Sequence, residues 1–486
     1  MVKRTIWRPL CSILTVAVVL ITYAVVECRG SELHIGSSTI SITPNGPIAL
    51  AGQMHARIAR EVESPVTATA LALESRDGDK VLDQAVLIAC DLVVIDVGVL
   101  DRVRKLIGEQ IPGLDRRKVI LSATHTHTAP VMAEGDYEIP KEGVMQPSEY
   151  AEFLSARIVE AAVKAWQSRQ PGKVGWGLGH AVVAQNRRSV YSDGHAQMYG
   201  PTDSPNFRGI EGSEDQGVEV LFFWDNAGKL IATAVNVACP SQEVEGGSAV
   251  NADFWHEVRE SLKARHGKDL HVLGWTGAAG DQSPHLMYRK RAEERMRTLR
   301  GLTRLQELSR RIVAGWEEAY EGASKEQHSD AVLNHKVETI ELPMRQITEA
   351  EAAEARSKVE ALSKDPKNRR LVVWHGDVVK RYESQKAGTA KPFSMELHAI
   401  RLGDIAIATN VFELYTEFGI QIKARGKALQ TFVIQLAGPG TYVPTARAAR
   451  GGGYSAIAES NTVGAEGGQV LADQTIELIN SLWAEH

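Results

Sequence analysis

The sequence predicts a mixed α/β fold built as one large domain. Three observations carry this. Segments with strand periodicity and segments with helical periodicity alternate irregularly along the chain. No Gly/Ser-rich or Pro-rich linker and no internal repeat interrupts them. Of 486 residues, 43% are hydrophobic and 24% charged, an ordinary composition for a chain with a large core.

Residues 1–30 stand apart. Lys3, Arg4 and Arg8 precede an uncharged apolar run, Leu10 to Val26, which Glu27, Arg29 and Gly30 close. This is the pattern of a signal peptide or signal anchor. The protein is therefore expected to be exported: periplasmic, extracellular, or membrane-anchored and facing outward. No later segment is apolar enough to span a bilayer, so residues 31–486 are expected to form the folded body.

The elements follow in order. Glu32 to Thr43 alternates like a strand and ends in the turn cluster Pro44-Asn45-Gly46-Pro47. Thr67 to Leu73 and Ala85 to Ile95 read as buried strands. Asp96 is placed to cap a helix whose apolar positions are Val97, Leu100, Val103 and Ile107. Lys118 to Ala123 is a strand that runs into Thr124-His125-Thr126-His127-Thr128. Tyr150 to Trp166 is an amphipathic helix. Val218 to Trp224, Leu230 to Ala238 and Leu270 to Trp275 are strands, with a helix from Ala252 to Arg265 between the last two. Met287 to Ala323 is helical, with Arg and Glu interleaved, and is expected as a solvated helix or helical hairpin on the surface. A helix Glu349 to Leu362, a hairpin Met395 to Ala408 turning at Gly403-Asp404, a strand Thr431 to Leu436 and a helix Asp473 to Trp483 complete the chain.

Charge and cysteine content narrow the function. Lys+Arg is 55 and Asp+Glu is 60, giving a net charge of −5, which argues against nucleic-acid binding. Of four cysteines, Cys11 and Cys28 lie in the leader. Cys90 and Cys239 lie in the body, where an oxidising compartment would allow them to pair.

Three places carry residues suited to chemistry. If the strand from Lys118 continues, period-two geometry puts His125 and His127 on one face. Two imidazoles one pleat apart suit one metal ion, or one ligand and a neighbour that touches substrate. Two surface histidines on a polar strand end would look the same. The second place is Thr276 to His285, where glycines permit close backbone approach, Ser283 could be a nucleophile or hydrogen-bonding group, and Asp281 could orient it. It lacks the Gly-x-Ser-x-Gly elbow, so a plain turn competes. The third comprises Glu413 past a strand end, Tyr442, and Tyr454 after three glycines.

Taken together, these pieces resemble the neutral/alkaline non-lysosomal ceramidase family. The resemblance is carried, in order, by Ser122-Ala-Thr-His-Thr-His-Thr-Ala-Pro130, Asn186-Arg187, Gly280-Asp-Gln-Ser-Pro284, Phe412-Glu413, Tyr442-Val-Pro-Thr445 and Gly453-Tyr454. It implies a single zinc-hydrolase domain over residues 31–486, without the β-rich C-terminal domain that family members carry. It implies one zinc ion per chain and cleavage of the amide of ceramide to a fatty acid and sphingosine. His125, Glu413 and Tyr442 are implied as zinc ligands, His127 and Tyr454 as donors to the developing oxyanion, with Arg187 nearby and Ser283 close to the reaction centre.

One departure matters. The family's second zinc histidine follows the strand that here reads Ile231-Ala-Thr-Ala-Val-Asn-Val-Ala-Cys-Pro240, and this chain has Cys239 at that point. Thiolate ligates zinc at about 2.3 Å, so Cys239 is expected as the fourth ligand. A buried core thiol, or a disulfide to Cys90, is the competing reading, and His256 is a fallback ligand. The expected activity is that of a zinc-dependent amidohydrolase on a small-molecule or lipid N-acyl substrate, with contact to a membrane surface left open. The alternatives are an amidase or esterase for another exported substrate, or a non-catalytic binding protein on the same scaffold.

Overall fold

The computed structural model describes Met1 and residues 31–484. The expected signal segment, with Cys11 and Cys28, lies outside the described residues. No helix among the described residues is long and apolar enough to cross a membrane.

Two sheets stack face to face. The larger is built from β1 (Glu32–Ser41), β2 (Thr67–Asp77), β3 (Lys80–Cys90), β4 (Val119–Ala123), β5 (Gln170–His180), β6 (Gly217–Asp225), β7 (Leu230–Val237) and β8 (His271–Thr276). Its strand order is β8-β7-β6-β5-β1-β2-β3-β4. The smaller holds β9 (Leu333–Leu342), β10 (Phe393–Leu402), β11 (Ile405–Thr409) and β13 (Gln430–Ile434), in that order. Short β12 (Glu413–Leu414) pairs in parallel with β14 (Tyr442–Val443) beside them.

Alternation along each strand decides which face meets what. In β2, Leu71 and Leu73 join Ile400, Ile407 and Phe432 of the smaller sheet, whereas Ala68, Ala70 and Ala72 face the helix layer. That layer includes α1 (Val97–Gln110) and α2 (Pro147–Gln167), whose Tyr150, Leu154 and Ile158 fill the space the alanines leave. Asp96 caps α1 as its sequence position suggests, accepting from the N–H of Gly98 at 2.8 Å. Further along the same face lie α3 (Phe254–His266), α4 (Lys290–Arg300) and α5 (Arg304–Ala323). Helix α5 presses on β5 so closely that a Cβ on Gly179 would sit 1.9 Å from the Gly315 carbonyl oxygen. The outer face of the smaller sheet is covered by α8 (Thr416–Arg425) and α10 (Ala465–Asn480), with α6 (Glu349–Leu362), α7 (Arg369–Lys386) and the short α9 (Ala446–Gly451) around them.

The structure corrects several expectations. The charged stretch from Met287 divides at Gly301, which takes a left-handed φ of 65°, and Thr303 starts α5 with a capping box. Helix α4 buries nothing, but α5 buries Leu308, Ile312, Val313, Trp316 and Ala319, so half of the stretch is core. Strand β3 ends at Cys90, five residues earlier than the apolar run suggests. Strands β5 and β9 escape the sequence pattern for physical reasons. Four glycines interrupt the alternation of β5, and β9 is an edge strand carrying Lys336, Glu338 and Glu341.

Among the described residues, three strand pairs within the two large sheets are parallel, β3 with β4, β7 with β8 and β11 with β13. Each pair needs a helical crossover, supplied by α1, α3 and α8. Their carboxyl ends meet. The Ala123 N–H donates to the Leu436 carbonyl at 3.2 Å, and the Gln435 N–H donates to the Thr276 carbonyl at 3.0 Å. Loops leaving these ends build the site, the usual place for one in an α/β protein.

Candidate functional site

Strand β4 stops at Ala123, so the two histidines are not placed by strand alternation. His125 instead adopts a left-handed φ of 69°. Its backbone turn is held by N–H donation from Thr124 to the Cys90 carbonyl and from His125 and Thr126 to the Leu92 carbonyl. Thr126 and Thr128 donate their hydroxyls to the Asn251 carbonyl at 2.7 and 2.8 Å, which pins the far side of the segment. The strain of the left-handed residue is borne by this bonding, and the two rings meet edge to face with centroids 4.8 Å apart.

His125 is buried and its ring is committed at both nitrogens. Nδ1 lies 2.6 Å from the Val93 carbonyl oxygen, an acceptor, so Nδ1 carries the proton and Nε2 a lone pair. Nε2 lies 3.2 Å from Oε2 of Glu413 and 3.2 Å from Nε2 of His127. A lone pair facing a carboxylate at that range calls for a cation between them, a proton or a metal ion. Burial pushes the His125 imidazolium down in pKa, but Glu413 and the Val93 carbonyl outweigh it and leave it above the usual histidine value. His127 is held well below the usual value, by burial first and then by His125 and Arg187.

Tyr442 and Tyr454 complete this cluster. Their rings meet edge to face at 5.8 Å. Both phenols are pushed up in pKa by burial and by the Glu413 carboxylate, Tyr454 to about 12. The Arg187 guanidinium lies 5.4 Å from the Tyr442 ring and donates to the Gly280 carbonyl at 3.0 Å.

A cavity of about 360 Å³ opens over these groups. His125, His127, Glu413, Tyr442 and Tyr454 line its floor; Met54, Val93, Val131, Met132, Leu436 and Trp374 supply apolar wall. Asp136 and Arg370 line it as well, paired at 3.3 Å. Arg370 belongs to α7, which is also tied down by donation from Arg369 to the Gly135 carbonyl at 2.6 Å.

The remaining expected site residues lie elsewhere. Ser283 is fully buried behind the cavity and receives hydrogen bonds from the Tyr199 hydroxyl and the His285 N–H at 3.0 and 3.1 Å. Asp281 is buried too. It accepts from the Thr416 N–H and hydroxyl and from the Asn186 amide, so it braces three loops and does not orient Ser283. Neither residue lines the cavity.

Cys239 corrects the expected ligand set. It packs with Val235, Val237, Phe254 and Val258 in the core beneath α3, not in the cavity. The reason is parity. Val235, Val237 and Cys239 share the helix-facing side at and beyond the end of β7, while Ala232 and Ala234 face the other sheet. Burial, aided by Asp253 and Glu243, pushes its thiol well above the usual value, so it stays a neutral thiol. Cys90 and Cys239 are both free, so the disulfide alternative fails. The fallback His256, on α3, does not line the cavity either.

Among the described residues, no group of three or more His, Cys, Asp or Glu side chains is arranged to hold a metal ion. What fits a cation is the acceptor arrangement around His125 Nε2, with Glu413 beside it and the Tyr442 phenol next to Glu413. Nitrogen and oxygen donors of this kind suit zinc and other first-row divalent metals alike.

Sequence reasoning missed Glu245 and Arg57. Glu245 lies in the loop just after Cys239, with Oε2 at 3.4 Å from His127 Nδ1 and Oε1 at 3.4 Å from His285 Nε2. Buried Arg57 donates to the carbonyls of Glu245, Gly247, Ala51 and His127 at 2.5 to 2.7 Å. The only sequence signal was the cluster of carboxylates, Glu243 and Glu245, directly after the departure at Cys239.

No protein-family model and no curated protein matches the chain. Solved structures do. The neutral ceramidase from Pseudomonas aeruginosa superposes with a TM-score of 0.68 at 16% identity, covering 93% of this chain and 74% of that one. A ceramidase complexed with C2 superposes with a TM-score of 0.64 at 13% identity, covering 93% and 75%. The chain therefore has a neutral-ceramidase-like fold, as the sequence resemblance implies.

Proposed function

We propose that this chain is an exported, metal-dependent amidohydrolase that cleaves an N-acyl compound of the ceramide type, with zinc held at His125, Glu413 and Tyr442. The observation that carries the reading is the cluster of acceptors around His125 Nε2 at the floor of a largely apolar cavity. The ceramidase-like fold supports the same substrate class.

The chain's own residues divide the work. When bound, zinc supplies Lewis-acid polarisation of the scissile carbonyl and acidifies water. The Val93 carbonyl fixes the His125 ring so that Nε2 faces the floor. The Tyr454 phenol stays protonated at neutral pH and is a donor for negative charge developing on the carbonyl oxygen. The apolar wall from Met54 to Leu436 takes an acyl chain and excludes water from the floor. Arg187 places a fixed positive charge beneath Tyr442.

Arg370 favours a second reading, in which the leaving amine carries a carboxylate, as in an N-acyl amino acid. A panel of N-acylsphingosines and N-acyl amino acids, assayed for fatty-acid release with zinc present, tests both. Release from ceramides supports the first reading. Turnover of N-acyl amino acids alone, lost in Arg370→Ala, replaces it with the second. No turnover of any amide rejects the enzymatic reading in favour of a binding protein on this scaffold.

A further inference from the structure

We propose that helix α4 is a docking surface for a bilayer with anionic headgroups, entered by its exposed apolar stripe and held by the cations around that stripe. The sequence concentrates charge here. From Arg289 to Arg304 there are seven Lys or Arg and two Glu, a net charge of +5 in a chain whose net charge is −5. Helix α4 lies within this stretch and buries no residue. A helix gains most of its stability by packing an apolar face, and the apolar side chains of α4 have no such partner within the chain.

The helix is tied down along one stripe. Glu293 pairs with Arg311 of α5, Arg300 pairs with Glu307 of α5 at 3.4 Å, and Arg297 donates to the Leu302 carbonyl at 2.8 Å. Positions 293, 297 and 300 share one side at helical spacing. The stripe one residue earlier, Ala292, Met296 and Leu299, is turned about 100° away from it. That stripe is open to solvent: Met296 is 41% and Leu299 65% exposed. Arg291 and Arg295 flank it on the side away from α5, and both are exposed. In this segment carboxylates meet Arg297, Arg300 and Arg304. Among the described residues, no ion pair engages Arg289, Lys290, Arg291 or Arg295.

Apolar groups flanked by unpaired cations complement a surface that is anionic outside and apolar beneath. Arg and Lys stems lie along acyl chains while their charges stay at the headgroups. A nucleic acid would match the cations but leave Met296 and Leu299 without a partner. On the flank of α4, Lys290, Arg291, Arg297 and Arg304 line a hollow of about 430 Å³ with Glu243 and Glu294. Cations outnumber carboxylates there, so a headgroup phosphate finds charged donors. The helix starts shortly after His285, whose ring lies 3.4 Å from Glu245, itself 3.4 Å from His127 of the cavity floor. It therefore springs from the end of the molecule that carries the cavity. Docking at α4 does not depend on what the cavity hydrolyses.

Cosedimentation of the full chain with phosphatidylcholine vesicles, with and without phosphatidylglycerol, measures the affinity. The wild-type chain is expected to prefer the anionic vesicles and to be released by salt, because the contact is made by exposed charges. Lys290→Gln, Arg291→Gln and Arg295→Gln together should weaken binding about a hundredfold, at about fivefold for each cation removed. Met296→Ser with Leu299→Ser should weaken it about tenfold. Both variants should melt as the wild type does, since α4 buries no residue. Residues 1–30 are common to all of them, so the differences report α4. Hydrogen exchange on the vesicle-bound chain reads the helix directly, and slower exchange across residues 290–300 is expected. Binding that both variants retain in full, with exchange across α4 unaltered, would overturn the proposal, as would no binding to either vesicle. A wild-type dimer that both variants return to monomer would overturn it too, and assign the stripe to a second copy of the chain.

Discussion

Nε2 of His125 lies 3.2 Å from Oε2 of Glu413, while the opposite ring nitrogen is spent on the Val93 carbonyl. The two residues come from separate sheets, one following β4 and the other forming β12 beside β11. The contact therefore exists only because the carboxyl ends of parallel strands from both sheets meet. It sets the charge requirement of the site.

Cys239→Ala should leave metal content unchanged. Its sulfur is in the core under α3, so the substitution removes packing and not a ligand. A loss of about 1 kcal/mol in denaturant unfolding is expected, with wild-type metal stoichiometry. Loss of the metal with unchanged stability would show the opposite arrangement.

Tyr454→Phe should slow turnover by about a hundredfold with little change in KM. Burial keeps its hydroxyl protonated, and under the proposed function it donates to charge that develops only in the transition state. A raised KM at constant kcat would mean that the phenol only binds substrate.

Arg57→Met should destabilise the chain by about 3 kcal/mol, because buried carbonyls of Glu245, Gly247, Ala51 and His127 lose a charged donor together. Thermal and urea unfolding measure this. A change under 1 kcal/mol would show that the carbonyls find other donors.

Stability should also depend on pH through Glu243. Burial pushes its carboxyl up from 4.5 to about 7, against the pull of Arg304 at 3.3 Å. A group whose folded pKa exceeds its unfolded value favours folding while protonated. Its contribution is therefore fully present below about 4.5 and is lost as pH rises through about 7. Glu243→Gln should flatten the fall in Tm across that window, and an unchanged profile would remove Glu243 as its cause.

Much of this architecture was legible from periodicity. Strands β1, β2, β4, β6, β7 and β8 and the capped helix α1 follow from alternation and from Asp96. The convergence of His125, Glu413, Tyr442 and Tyr454 was legible only through ordered motifs, since no local pattern joins residues so far apart in sequence. Cys239 shows the limit differently. Its parity with Val235 and Val237 already pointed to the helix side, but the motif position outweighed the pattern. The left-handed turn at His125 and the arrival of Glu245 depend on tertiary hydrogen bonds to the Leu92 carbonyl and from Arg57, which no window of sequence contains.

Anomalous scattering at the zinc edge, from crystals of the zinc-loaded chain, tests the central claim most directly. The account predicts one strong peak about 2.0–2.2 Å from His125 Nε2 and from a Glu413 carboxylate oxygen, with the Tyr442 oxygen beside it. A peak at Cys239, or no peak at His125 at saturating zinc, would contradict it.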